Sequence, residues 1–122
     1  VLLLLPEYIQ AGVEGIAIGT NDLTQLLLAA DRNQEQFATV FAAPHPAVKR
    51  AIHQMIQMAN TAGIPCSVCG NLCGAHPELV EDLIRWGVSA ISVEPDAVER
   101  TYKAIARAEK RLLLEAARRQ LP

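Results

Sequence analysis

The stretch Gly15-Ile16-Ala17-Ile18-Gly19-Thr20-Asn21-Asp22-Leu23-Thr24-Gln25 sets the reading of the whole chain. A short apolar run between two glycines predicts a buried parallel strand, since such strands are covered on both faces and do not alternate. A helical apolar pattern follows at once, from Asp22 to Ala30. Gly19 allows a backbone to approach a ligand closely. Thr20 or Asn21 is expected to cap the helix, whose free N–H groups suit a phosphate or carboxylate. Asp22 offers a hard oxygen for Mg²⁺. The same residues also read as an ordinary strand–turn–helix junction.

Working outward, Leu3 to Gly12 reads as the end of a helix stopped by Gly12, and Asn33 to Phe41 as a weaker helical turn or two. Pro46 suits the first turn of a helix running from Ala47 to about Ala62, with Val48, Ile52, Met55, Ile56 and Ala59 on one face and Gly63 as C-cap. Ile64 to Val68 is a second strand. His76-Pro77 precede a helix from Glu78 to Trp86, ended by Gly87. Ala90 to Val93 is a third strand, after which Asp96 caps a long amphipathic helix reaching toward Arg119. Strands separated by helices predict βαβ units and a parallel sheet. A complete (β/α)8 barrel takes about 250 residues; the 122 residues here hold three or four βα units. The expected architecture is therefore α/β: the C-terminal half of a (β/α)8 TIM-type barrel with a long C-terminal helix, occupying 1–122 as a fragment of a larger protein.

A net charge of −2 gives no reason to expect nucleic acid or an anionic membrane as partner. The apolar content supports a packed core, filled by aliphatic side chains because aromatics are few. The run Val1 to Leu5 is too short for a signal sequence and lacks a basic flank. Nothing approaches the roughly 20 apolar residues of a membrane span. Three cysteines within eight residues, Cys66, Cys69 and Cys73, are a poor disulfide framework and fit a reducing cytoplasm. An open half-barrel with unpaired edges is expected to be a homo-oligomer or to self-associate, and the tail beyond Tyr102 to take part.

Function in parallel sheets gathers at the C-terminal strand ends. The second such end is Cys66-Ser67-Val68-Cys69-Gly70-Asn71. A thiol at position 69 can give or take a proton; the plainer alternative is a buried structural cysteine. A thiolate metal module of Cys66, Cys69, Cys73 and His76 is a third possibility for zinc or an iron–sulfur cluster, although strand alternation sets Cys66 and Cys69 on opposite faces. His45, His53 and His76 form no i, i+4 pair and receive no catalytic role. Arg32 reads either as an anion contact at the strand mouth or as a solvated surface residue.

Taken together, Gly15 to Gln25, Asp31-Arg32, Pro46-Ala47-Val48-Lys49, Val68-Cys69-Gly70 and Ile91-Ser92-Val93-Glu94-Pro95-Asp96 resemble the C-terminal barrel of the phosphoenolpyruvate-utilising enzyme family. The resemblance runs from Leu5 to about Tyr102, and His76-Pro77 with Ser92 to Asp96 look like its synthase branch. It implies a phosphotransferase that makes phosphoenolpyruvate from pyruvate with ATP, through a phosphohistidine on another domain of the parent protein. Asp22 would ligate Mg²⁺. Gly19, Thr20 and Asn21 would contact pyruvate or phosphoenolpyruvate, partly through backbone, with Gly70 and Asn71 alongside. Arg32 would neutralise the transferring phosphoryl group, and Cys69 would exchange the proton at the methyl or methylene carbon. The family's ATP-binding and phosphohistidine domains, and a second metal carboxylate, would precede Val1. Asn71 departs from the family's usual glutamate or glutamine, which keeps open a non-catalytic or regulatory paralogue that binds the same ligand.

Overall fold

A computed structural model describes residues 2–29 and 43–121. After a single 3-10 turn at Leu2–Leu4 come α1 (Leu5–Gln10), β1 (Ile16–Gly19) and α2 (Thr20–Leu28). Beyond the undescribed stretch follow α3 (Pro46–Ala62), β2 (Cys66–Cys69), a short α4 (Asn71–Ala75), α5 (Pro77–Trp86) and β3 (Ala90–Ser92). A 3-10 turn at Pro95–Ala97 leads into α6 (Val98–Arg119).

The expected α/β alternation is present, and the sheet is parallel, in the order β1-β2-β3. Ile18 pairs with Val68 and Val68 with Ile91. Alternation sends Ile18, Cys66 and Val68 to one face, where they are buried. There they meet the apolar stripe of α3 (Val48, Ile52, Met55, Ile56, Ala59) and the inner face of α5 (Leu79, Val80, Leu83). Burying that many aliphatic side chains is the main stabilising contribution, at about 25 cal/mol per Å² of apolar surface. The other face is different. Ala17 and Ala90 are exposed there, and with Gly15, Pro65, Ser67 and Ser89 they line an open hollow of about 370 Å³. A parallel sheet normally has both faces covered; among the described residues this one is covered on one side only.

Local chemistry explains the helix ends. The His45 Nδ1 accepts from the Ala47 N–H at 3.0 Å, capping α3, and Pro46 fills its first turn. Gly63 and Gly87 close α3 and α5 in the left-handed conformation (φ 75° and 90°). Asn60 donates to the Trp86 carbonyl at 3.0 Å, and His53 stacks on the Trp86 ring at 4.5 Å, so the ends of α3 and α5 are fastened together. Helix α6 lies along α5 through Arg111–Glu81 (3.1 Å) and Arg85–Glu115 (3.1 Å) contacts.

Two expected caps fall elsewhere. Asp96 does not cap α6: it sits inside the 3-10 turn, and Ala97 takes the N-cap position with no side-chain bond. Neither Thr20 nor Asn21 caps α2, because the helix begins at Thr20 directly from the strand and the N-cap is Gly19. The segment Asn33 to Phe41, expected to be weakly helical, lies outside the described residues. Among the described residues no helix is long and apolar enough to cross a membrane.

Candidate functional site

The parallel register brings the three strand ends side by side: Gly19 opposite Cys69, and Cys69 opposite Ser92. Cys69 is the last residue of β2 and is exposed. Its Sγ–H donates weakly to the Ile18 carbonyl at 3.5 Å, which tethers the thiol across to β1. The exposed position removes the buried structural alternative for this cysteine. Cys69, Gly70 and Asn71 face Ser92, Val93 and Glu94 around a hollow of about 250 Å³. A larger hollow of about 630 Å³ between α1 and α3 is lined by Pro6, Ile9, Gln54, Gln57, Met58, Thr61 and Ala62. It carries no charged side chain and no cysteine.

The other two cysteines are sequestered. Cys66, three residues before Cys69, points into the core, and Cys73 on α4 is also buried. Burial pushes the Cys66 thiol up. Burial, and secondarily the charge of Cys69, pushes the Cys73 thiol up to about 11. Both therefore stay protonated at neutral pH in the metal-free chain. His76 is turned to Glu78 at 3.1 Å. Among the described residues no group of three His, Cys, Asp or Glu side chains could hold a metal; a thiolate module of Cys66, Cys69, Cys73 and His76 is not formed.

At the β1 end, Asp22 stands exposed in the first turn of α2, where the helix dipole favours a carboxylate. Its Oδ2 lies 3.8 Å from where a Cβ on Gly19 would be, so the carboxylate folds back toward the strand end. It makes no ion pair among the described residues. Asn21 is half-buried beside it. Thr20 is fully buried, at 0% exposure. Its Oγ1 has no hydrogen-bond partner among the described residues, whereas Thr24, one turn on, donates to the Thr20 carbonyl at 2.7 Å. Gly70 has φ 130°, and a Cβ there would collide with Thr20 Oγ1; only glycine fits both the conformation and the space. Arg32 lies outside the described residues.

Sequence reasoning assigned no role to Ser92, Val93 or Glu94, yet they form one wall of the mouth. The signal was available, since they sit at a strand's C-terminal end. Helix α4 was also missed: five residues give no readable period. It is anchored from behind by the Arg100 Nε, which donates to the Gly74 carbonyl at 2.8 Å.

An exposed thiol, Cys69, and the Asp22 carboxylate stand with Gly19 and Gly70 at adjoining strand ends of one parallel sheet. The profile of the family described as PEP-utilising enzyme, PEP-binding domain, matches residues 1–110. The chain is 42% identical over 117 residues to a probable phosphoenolpyruvate synthase of Archaeoglobus fulgidus, covering 96% of this chain and 15% of that protein. It is 45% identical over 105 residues to the phosphoenolpyruvate synthase of Aeropyrum pernix, covering 84% of this chain and 13% of that one. A probable phosphoenolpyruvate synthase of Methanocaldococcus jannaschii matches at 36% over 117 residues, or 10% of its length. The chain belongs to the PEP-utilising enzyme family and corresponds to its PEP-binding domain; it spans 10% to 15% of the length of these three relatives.

Proposed function

We propose that the chain is the substrate-site half of a (β/α)8 barrel in a phosphoenolpyruvate synthase-type phosphotransferase, which converts pyruvate to phosphoenolpyruvate with ATP through a phosphohistidine on another domain. The observation that carries this is the juxtaposition of Cys69 with Gly19 and Ser92 at the mouth of the sheet. The face lined by Ala17, Ser67 and Ala90, bare among the described residues, with the edges of β1 and β3 that are unpaired among them, is where the other half of a barrel would pack.

In this reading the ligand lies over the strand ends. Backbone groups of Gly19 and Asn21 hold its carboxylate near the N-terminus of α2. Gly70 and Asn71 border its methyl group. Cys69, reacting as its thiolate, takes a proton as the methyl C–H bond breaks, the electron pair moving to the carbonyl oxygen; in reverse the thiol returns the proton to the methylene carbon. The oxygen so charged accepts the phosphoryl group, and Arg32 neutralises the charge in transit.

Asp22 fits one ligand position for Mg²⁺: it is exposed, unpaired among the described residues and turned toward the mouth. Mg²⁺ is commonly held by one or two carboxylates, with substrate oxygens and water completing its shell. When bound there it would polarise the ligand's oxygens. A catalytically silent paralogue that binds the same ligand is the second reading, and it rests on Asn71, which faces the mouth with a shorter side chain than the family's usual residue.

The reading is tested by exchange of pyruvate methyl protons with deuterated water, followed by NMR on the longer protein carrying this chain. Exchange that disappears in Cys69→Ala while folding persists supports it. Undiminished exchange in that variant removes Cys69 from the mechanism.

A further inference from the structure

We infer that Thr20 is a positioning residue for Cys69, acting through its side chain and not by touching the ligand; this rests on the reading of Cys69 as the reactive group. Its side chain is fully buried, which excludes direct contact between its hydroxyl and anything in the mouth. What it touches is Gly70. A Cβ on Gly70 would collide with Thr20 Oγ1, would lie 3.2 Å from Thr20 Cβ and would lie 3.4 Å from the Thr20 backbone nitrogen. The whole first residue of α2 is therefore packed beneath the peptide that follows Cys69.

Thr20 is itself held. Its carbonyl accepts from Thr24 Oγ1 at 2.7 Å, and its β-branched side chain has few accessible χ1 rotamers. Gly70 has no side chain of its own to set its height and sits at φ 130°, where nothing local defines the backbone. The rigid partner is thus Thr20 and the compliant one Gly70. Cys69 precedes Gly70 directly, and its Sγ is tethered to the Ile18 carbonyl at only 3.5 Å, a weak bond. Support for the thiol comes from two sides of one seam: Ile18 in front and Thr20 beneath. Small displacements of a reacting group are enough to cost large factors in rate.

The hydroxyl of Thr20 has no acceptor among the described residues, so the support is a matter of shape. Valine has the same shape without the hydroxyl and separates the two contributions. The test is the rate and pH profile of Cys69 alkylation by iodoacetamide, read by mass spectrometry on the chain and on its Thr20→Ala, Thr20→Ser and Thr20→Val variants. Alkylation reports the thiol's setting whether or not the synthase reading holds, so failure of one is distinguishable from failure of the other. Thr20→Ala is expected to loosen the tether, raise the rate about threefold or more at fixed pH and shift the profile. Thr20→Val is expected to restore the wild-type profile and to melt no lower. If Thr20→Ala does not fold, Thr20→Ser, whose freed χ1 relaxes the support, is compared with Thr20→Val in its place. An alanine or serine profile identical to wild type, or a valine profile as altered as alanine's, overturns the inference.

Discussion

Thr20 and Gly70, fifty residues apart, meet so closely that a methyl group on Gly70 would overlap the Thr20 hydroxyl. The contact joins the first turn of α2 to the peptide after Cys69 and makes one structure of two strand ends. Gly70→Ala combines that overlap with a left-handed φ of 130°. It is expected to lower stability by about 1–3 kcal/mol, a typical cost of backbone strain, measured by urea denaturation. An unchanged midpoint would mean that the seam yields easily.

The three cysteines should behave as one reactive and two protected thiols. Near neutral pH, iodoacetamide is expected to modify Cys69 alone in the folded chain and all three in denaturant, since Cys66 and Cys73 are buried and protonated. Peptide mapping that finds Cys73 modified as fast as Cys69 would contradict the fold around α4.

The raised Cys73 thiol also predicts a pH dependence of stability. Its folded pKa of about 11 lies above its unfolded value, so the folded state binds the proton more tightly. The contribution is fully present below about pH 8.5, the ordinary thiol value, and is lost as pH rises toward about 11. Cys66, raised in the same direction, adds to the effect. Denaturant midpoints should fall across that window, and Cys73→Ala should flatten the fall. A slope of the same size in Cys73→Ala would assign it to other groups.

Asp22 has no structural partner among the described residues, so Asp22→Asn should leave the melting temperature nearly unchanged. In the longer protein it should raise the Mg²⁺ concentration needed for half-maximal activity about tenfold or more, the scale on which altered coordination acts. An unaltered Mg²⁺ requirement would place the metal elsewhere.

A sheet face uncovered and two edges unpaired among the described residues predict that the isolated chain self-associates. Sedimentation velocity should show species heavier than the monomer whose share grows with concentration. A strictly monomeric profile would count against a half-barrel.

The alternation of elements was legible because its signals are local. The apolar run Ile16 to Ile18, the stripe from Val48 to Ala59 and the stops at Gly63 and Gly87 each read within one element. Cys69 at a strand end followed from the same reasoning, and alternation set it on the face opposite Cys66; which of the two is exposed did not follow, because that depends on which face the helices cover. The burial of Thr20 was not legible, because it depends on a glycine fifty positions away. The same holds for the wall from Ser92 to Glu94, which becomes part of the mouth only once β3 takes its place beside β2. Asp96 read as a cap because its residue type favours one; Pro95 instead tightens the chain into a 3-10 turn, and the helix starts two residues later.

The most direct test of the synthase reading is ATP-dependent formation of phosphoenolpyruvate from pyruvate by the longer protein, with and without Cys69→Ala. The account predicts turnover in the wild type that is abolished in a variant that still folds and binds pyruvate. Turnover that survives the loss of Cys69, or a well-folded wild type that makes no phosphoenolpyruvate, would contradict it; in the latter case Asn71→Gln would show whether the shortened side chain at the mouth is the cause.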